Sequence, residues 1–286
     1  MGEAEINVSR SDYSHLDRPE ILTRLFHPRP EYGAREKPEN ATDLLIPVEE
    51  DALVGGRFHM TSKSAPNLLF FHGNGEIVAD YDQMGPLYNG MGVNFLPVDY
   101  RGYGRSTGEP TIAAMMRDCH VIFEFTRKWL EKNGYTGSFI TMGRSLGSAS
   151  ALELASHYRD RIDGLIVESG FAFAGPLLQL LGLNLAAIGF REEKSFRNQE
   201  KIRKWDKPTL IIHAEYDHII PFSEGQALYA ACPSKDKTLL KIPGANHNDL
   251  FAVGLTEYMR ELRILIGRAA KGVWDRGTGR VGIQAF

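Results

Sequence analysis

A serine stands between two glycines at residues 143–147, in the order Gly-Arg-Ser-Leu-Gly. The residues just before this segment, SFITM, are typical of a strand, and the residues after the serine, LGSASALELASHYRD, are typical of a helix. A sharp turn from strand to helix strains the backbone of the middle residue and lifts its hydroxyl clear of the sheet, while the glycines avoid side-chain clashes. Ser145 is therefore a candidate nucleophile.

A serine hydroxyl attacks a carbonyl readily only when a base removes its proton and a third group orients that base. Among the nine histidines, His247 lies in the loop KIPGANHNDLF, which follows the last predicted strand. Asp217 lies just beyond the strand that begins at Thr209. Sheets of parallel strands assemble their sites at this carboxyl end. We therefore predict that Ser145 is the nucleophile, His247 the base and Asp217 the acid that orients it.

The remaining acids and histidines have less suitable positions. Glu215 and Glu168 are the alternative acids. Glu168 lies at the end of the predicted strand 164–169, which comes one strand earlier in the chain than the strand leading to Asp217. Five histidines lie in predicted strands or helices or in the N-terminal segment, and we interpret them as surface or core residues: His15, His27, His59, His120 and His157.

A second glycine-rich turn, His72-Gly73-Asn74-Gly75, follows the predicted strand NLLFF. It does not match a phosphate-binding loop, because the third glycine of a dinucleotide site is missing and no Gly-Lys-Ser/Thr follows. His72 is expected to be structural. The glycine-rich stretch 99–106 is expected to hold the neighbouring loop in place.

The segments that must position these residues alternate between strand and helix. Seven runs are predicted as strands: 53–60, 67–73, 93–100, 138–143, 164–169, 208–214 and 237–244. The runs LLFF, LIV and LII show no polar alternation, so these strands are expected to be covered on both faces. The pattern predicts an α/β fold with a mainly parallel, doubly wound sheet.

We expect an N-terminal arm at 1–44, the main domain at 45–268 and a C-terminal tail at 269–286. Residues 171–206 form a long connection between two predicted strands, apolar in its first half and charged in its second, and predict a helical lid above the sheet edge. A transmembrane helix is disfavoured, because Pro176 and several glycines interrupt the apolar run. Docking of the lid on a membrane surface is a further alternative.

The order of the three candidate residues is that of the α/β-hydrolases. The chain resembles this superfamily over about residues 45–268, through the segments FFHGNGE, DYRGYGRS, GRSLG, HAEYDHIIP and GANHND. Within it the chain is most similar to serine hydrolases with an HGN turn, a group that includes esterases and protein depalmitoylases. The resemblance implies an oxyanion hole made by the backbone amides of Asn74 and Leu146.

The resemblance also implies a serine hydrolase that cleaves a carboxylic ester or thioester of a small-molecule acyl substrate through an acyl-enzyme. The apolar half of the lid would then line a pocket for an acyl chain or an aromatic group. Two alternatives stay open: a peptidase or amidase that uses the same three residues, and a non-catalytic protein that only binds a ligand.

Composition narrows the range of functions. The chain has 286 residues, of which 43% are hydrophobic and 24% charged, so a disordered chain is excluded. The net charge of −3 argues against nucleic-acid binding.

Cys119 and Cys232 match no zinc spacing, and we expect neither a metal nor a cofactor. Because the first ten residues contain no apolar stretch, a cytoplasmic protein is expected. The oligomeric state is left open.

Overall fold

The computed structural model describes residues 12–33 and 37–278, with side chains described up to residue 271. The first ten residues, on which the expectation of a cytoplasmic protein depends, lie outside this part of the chain. The end of the expected tail, from residue 279, also lies outside it. None of the helices in the described ranges combines the length and the apolar character that crossing a membrane requires.

The described residues form one sheet of eight strands, in the spatial order β1-β2-β4-β3-β5-β6-β7-β8. The strands are β1 (Ala41–Glu49), β2 (Ala52–His59), β3 (Asn67–Phe71), β4 (Asn94–Val98), β5 (Phe139–Arg144), β6 (Gly164–Glu168), β7 (Thr209–Ala214) and β8 (Lys237–Ile242). β2 pairs antiparallel with β1 and β4, and the neighbours from β4 to β8 are parallel. The predicted α/β fold with a mainly parallel sheet is confirmed.

Each of the seven predicted runs overlaps one strand of the sheet, and β1 is the strand that was not predicted. It lies at the edge of the sheet and contains Pro47, whose missing N–H is tolerated at an edge position. Because β1 begins at Ala41, the sheet starts inside the segment expected to form the arm. At the other end the last helix crosses the expected boundary after residue 268 and continues to Thr278.

Helices cover both faces of the sheet. They are α1 (Pro19–Leu25), α2 (Gly85–Gly90), α3 (Ile112–Lys132), α4 (Ser148–His157), α5 (Ala174–Leu180), α6 (Asn198–Ile202), α7 (Phe222–Ala231), α8 (Leu250–Val253) and α9 (Leu255–Thr278). Side chains of α1 and of α3 to α7 belong to one buried apolar cluster. Those of α2, α8 and α9 belong to a second cluster on the opposite face. This two-sided packing explains why the predicted strands are apolar without alternation.

The insertion, residues 171–206, contains α5, a short 3-10 turn at Glu192–Lys194 and α6. Much of its apolar half is part of the core, because Phe171, Leu178 and Leu183 are buried in the cluster shared with α3 and α4. The insertion is therefore anchored to the body of the protein.

The N-terminal segment, residues 12–31, is held along the carboxyl edge of the sheet. The guanidinium of Arg18 donates to the carbonyl of Ile188 and that of Arg24 to the carbonyl of Leu181, each at 2.7 Å. Asp17 accepts hydrogen bonds from the first amides of α3. The segment thus bridges the insertion and the main body.

Candidate active site

The turn between β5 and α4 has the strained geometry expected of it. Ser145 has φ 51°, in the left-handed region that non-glycine residues rarely adopt. A Cβ at Gly143 would lie 2.2 Å from the carbonyl oxygen of Gly147, and a Cβ at Gly147 would lie 2.1 Å from the carbonyl oxygen of Phe71. Both flanking positions therefore require glycine, and Gly147 lets the turn pack directly against the end of β3.

Three side chains from separate loops meet above this turn. Nε2 of His247 lies 3.0 Å from Oγ of Ser145. Nδ1 of the same ring lies 2.8 Å from Oδ2 and 2.9 Å from Oδ1 of Asp217. A proton on Nδ1 donates to the carboxylate and leaves Nε2 free to accept from the serine hydroxyl. Since all three residues are buried, these hydrogen bonds are largely shielded from water.

The loop after β7 holds Asp217 in this position. Its Oδ1 accepts hydrogen bonds from the backbone amides of Ile219 at 3.0 Å and Ile220 at 2.8 Å. Burial raises the pKa of this carboxyl, but the hydrogen bond from His247 and the amide of Ile220 more than offset that effect and hold the pKa below its ordinary value. Asp217 is therefore a carboxylate at neutral pH.

The two rival acids have other partners. Glu215 accepts from Nζ of Lys241 at 2.7 Å and from the amide of Gly244 at 3.0 Å. Glu168 accepts from Nε of Arg144 at 3.0 Å and from the hydroxyl of Tyr258 at 2.6 Å. Of the three acids considered, it is Asp217 whose carboxylate is hydrogen-bonded to the ring of His247.

A second histidine supports the acid loop and was not singled out by the sequence reading. Nε2 of His213, on β7, donates to the carbonyl of Ile220 at 2.8 Å and lies 3.6 Å from Oδ2 of Asp217. Burial lowers the pKa of His213. The ring therefore stays neutral near pH 7 and braces the loop by hydrogen bonding.

The turn after β3 lies beside the nucleophile. The ring of His72 is fully buried between the carbonyl of Gly73, 2.8 Å from Nδ1, and Oδ1 of Asp99, 3.2 Å from Nε2. The hydroxyl of Tyr100 donates to the carbonyl of His72 at 2.6 Å. These contacts fit the structural role expected for His72.

The side chain of Asn74 is fixed from two directions. Its Oδ1 accepts from the hydroxyl of Tyr103 at 2.7 Å and from the backbone amide of His27 at 2.9 Å. Its Nδ2 donates to Nδ1 of His27 at 2.7 Å. Within the described ranges, the backbone amide of Asn74 has no hydrogen-bond acceptor. Leu146 is buried and directly follows Ser145 in the 3-10 turn Ser145–Gly147.

His27 is exposed, as its interpretation as a surface or core residue allows, and it also contacts the turn that carries Asn74. The stretch 99–106 has the supporting role expected of it, through Tyr100 and Tyr103. No local pattern marks His27, because it lies in a short segment outside the alternating strands and helices.

Side-chain clusters suited to a metal ion were sought over the described ranges. No group of three or more histidines, cysteines, aspartates or glutamates has that arrangement there. Both cysteines are buried and unpaired.

A sequence profile described as "Serine aminopeptidase, S33" matches residues 62–188 and 194–251 of the chain. The chain is 32% identical over 213 residues to the alpha/beta hydrolase domain-containing protein aho-3 of Caenorhabditis elegans. It is 34% identical over 212 residues to the alpha/beta hydrolase domain-containing protein 17C of Xenopus laevis. These matches cover 72% and 71% of the chain but only 59% and 63% of the two relatives.

The fold resembles that of the esterase Pf2001 of Pyrococcus furiosus, with a TM-score of 0.68 at 18% identity. The match covers 85% of the chain and 99% of the esterase. At this identity the likeness concerns the fold alone.

Proposed function

The chain belongs to the serine aminopeptidase S33 family of α/β hydrolases, and we propose that it cleaves a carboxylic ester or thioester through an acyl-enzyme. The observation that carries this proposal is the unbroken line of hydrogen bonds from Asp217 through His247 to Ser145. In this order of acid, base and hydroxyl, each group prepares the next for nucleophilic attack.

In the first step, Oγ of Ser145 attacks the acyl carbonyl carbon as Nε2 of His247 takes the hydroxyl proton. The carboxylate of Asp217 keeps the other ring nitrogen protonated and stabilises the imidazolium that forms. His247 then gives the proton to the leaving alcohol or thiol, and the acyl group stays on the serine.

The tetrahedral intermediate places a negative charge on the former carbonyl oxygen. We assign the backbone amides of Asn74 and Leu146 as the donors to this oxygen. The lack of a described acceptor for the Asn74 amide supports the assignment, because an oxyanion donor must be free when substrate arrives. Losing one such donor typically costs roughly a hundred- to a thousandfold in rate.

In the second step, water attacks the acyl-enzyme as His247 removes one of its protons. The same two amides stabilise the second oxyanion, and the proton returns to Ser145 as the acid product leaves.

The insertion supports an acyl group as the part of the substrate that is recognised. Phe173, Leu185, Ile188 and Phe190 are only partly buried and pack against the main apolar cluster. We propose that these apolar side chains bind an acyl chain or an aromatic group in preference to a sugar.

The description of the family profile favours a second candidate, cleavage of an amino-terminal peptide bond. The same three residues and the same oxyanion donors serve amide cleavage, so the site does not separate the two reactions. Hydrolysis of p-nitrophenyl esters and acyl thioesters is therefore to be compared with hydrolysis of aminoacyl p-nitroanilides. Faster turnover of the anilides would replace the ester proposal.

A fluorophosphonate probe tests the nucleophile directly. It should label the wild type and leave Ser145→Ala unlabelled, and hydrolysis of p-nitrophenyl acetate should disappear in the same variant. Equal labelling of the two proteins would refute the assignment of Ser145. A folded wild type that neither reacts with the probe nor hydrolyses any of these substrates would support a non-catalytic binding protein instead.

A further inference from the structure

The residue between Gly143 and the candidate nucleophile sends its side chain into a buried polar cluster. Arg144 is the last residue of β5, and its side chain is 12% exposed. Its guanidinium contacts three different segments: Glu76 after the turn that carries Asn74, Glu168 at the end of β6, and the backbone of His247.

The contact with Glu76 reaches the candidate oxyanion turn. Nη1 of Arg144 lies 2.5 Å from Oε1 of Glu76. The other carboxylate oxygen of Glu76 accepts from the backbone amide of Gly73 at 2.7 Å and from the hydroxyl of Tyr81 at 2.6 Å. A Cβ at Gly73 would lie 2.6 Å from Nη1 of Arg144. The guanidinium therefore lies directly against the turn, and Glu76 ties the two together.

The contact with the histidine loop is made to the backbone. Nη2 of Arg144 donates to the carbonyl oxygen of His247 at 2.7 Å. Nε donates to Glu168 at 3.0 Å, and Glu168 in turn accepts from the hydroxyl of Tyr258 on α9. One planar side chain thus connects the candidate oxyanion turn and the His247 loop to the end of β5, directly before Ser145.

The charges in this cluster favour an ion pair between Arg144 and Glu76 that persists at neutral pH. Burial lowers the pKa of Arg144, but the carboxylates of Glu76 and Glu168 outweigh that effect and raise it above its ordinary value. Burial raises the pKa of both carboxyls. For Glu76 the charge of Arg144 and the hydrogen bonds from Tyr81 and Gly73 together more than offset this, whereas the pKa of Glu168 stays raised. Arg144 therefore remains charged, with Glu76 as its ionised partner at neutral pH.

We propose that Arg144 is a positioning residue, which holds the Asn74 turn and the His247 loop in register with Ser145. The inference depends on the proposed serine hydrolase mechanism and extends it to a residue that does not touch the substrate. Loops move more than the strands that carry them, and a displacement of about 1 Å in a reacting group can cost roughly a hundredfold in rate. The planar fork of arginine has five donors in fixed directions, which the single ammonium of lysine does not provide.

The test compares Arg144→Lys, Arg144→Met and Glu76→Gln with the wild type in p-nitrophenyl ester hydrolysis. Each kcat is divided by the fraction of serine that a fluorophosphonate probe labels at its end point, so misfolded protein is not counted. We expect kcat per labelled serine to fall at least about tenfold in all three, with KM changing less than about threefold. Arg144→Lys should not restore the wild-type rate, because it keeps the charge but not the fork.

Arg57→Lys is the matched control. Arg57 is 1% exposed and lies among three carboxylates, Asp43 at 2.6 Å, Asp82 at 2.6 Å and Glu31 at 3.9 Å. It contacts neither the Asn74 turn nor the His247 loop. Its substitution should lower the melting temperature and leave kcat per labelled serine within about twofold of the wild type.

The double variant Arg144→Lys with Glu76→Gln tests whether the two residues act through the ion pair between them. If both residues act through the same ion pair, the two reductions in kcat should not multiply. The double variant should then have about the kcat of the less active single variant. Losses that multiply, or a wild-type kcat per labelled serine in Arg144→Lys, would overturn the inference. Failure of the wild type to label or to hydrolyse any substrate would instead contradict the proposed function.

Discussion

Nδ1 of His27 lies 2.7 Å from Nδ2 of Asn74, and this contact joins the N-terminal segment to the turn assigned as half of the oxyanion hole. The backbone amide of His27 donates to the other end of the same carboxamide at 2.9 Å. The N-terminal segment also contacts the insertion through Arg18 and Arg24. The insertion and the candidate oxyanion turn therefore contact the same N-terminal segment.

Replacing His27 with alanine should loosen Asn74 without removing it. One hydrogen bond contributes about 1 kcal/mol net, so kcat for a p-nitrophenyl ester should fall about fivefold, with little change in KM. The effect is moderate because the backbone amide of His27 and the hydroxyl of Tyr103 still hold Oδ1 of Asn74. Steady-state kinetics measure it. His15→Ala, an exposed histidine in the same segment, is the control and should match the wild type.

Replacing Asp217 with asparagine should remove the orienting charge behind His247. The amide can no longer keep the proton on Nδ1, so kcat for ester hydrolysis should fall roughly ten-thousandfold while the fold is retained. Far-ultraviolet circular dichroism checks the fold. Glu215→Gln, two positions earlier, should keep its rate within about twofold, because Glu215 bonds to Lys241 and Gly244 and not to the base. A larger loss in Glu215→Gln than in Asp217→Asn would reverse the assignment of the acid.

Replacing Gly147 with alanine should damage the site by backbone displacement. Its new Cβ would lie 2.1 Å from the carbonyl oxygen of Phe71, so the oxyanion turn and the nucleophile turn must move apart. Such overpacking typically costs about 1–3 kcal/mol, and esterase activity should be lost as well. Gly267→Ala is the control: it lies in α9 with no atom within 4 Å of the added Cβ. It should stabilise the protein by up to about 1 kcal/mol in chemical unfolding.

Stability should decrease on mild acidification because of His59. This ring is 1% exposed and stacks on Phe95, and burial lowers its pKa from 6.5 to about 4. The unfolded chain binds a proton below pH 6.5, and the folded chain does so only near pH 4. The stabilisation is therefore fully present above pH 6.5 and is lost as the pH falls to about 4. The loss amounts to roughly 3 kcal/mol, since each pKa unit corresponds to about 1.4 kcal/mol.

Urea unfolding at pH 7 and pH 5 measures this dependence. Between these two values His59 alone should lower the free energy of unfolding of the wild type by about 2 kcal/mol, and His59→Gln should lack this part of the fall. The burial of His213 adds a change of the same sign, so the variant retains part of the dependence. An equal fall in both proteins would show that His59 is not the group responsible.

Much of the fold could be predicted because local patterns carry it. Continuous apolar runs such as NLLFF indicate strands covered on both faces, and those strands are buried as expected. The edge strand β1 was missed because Pro47 interrupts a segment next to the polar N-terminus, and its place is set by pairing with β2. Antiparallel pairing of this kind depends on the neighbouring strand as much as on the residues themselves.

The three candidate residues could be found because each follows a strand end. The sequence contains the glycines around Ser145 and places Asp217 and His247 in loops after apolar strands. Parallel strands bring their carboxyl ends to one edge, so chain order alone predicts that these loops are neighbours. The distances of 2.8 Å and 3.0 Å within the line of hydrogen bonds depend on how the loops beyond the strands are held, as the amides of Ile219 and Ile220 hold Asp217.

The sequence by itself determined the residue types available for chemistry, the strand ends that carry them and the turns that require glycine. Tertiary structure decided which supports surround them: His27 on Asn74, His213 behind Asp217, and Arg144 between two glutamates. The physical reason is the separation along the chain between the residues that interact. Turn strain and hydrophobic periodicity act between residues close in the chain, whereas these supports are contacts whose geometry depends on how distant segments pack.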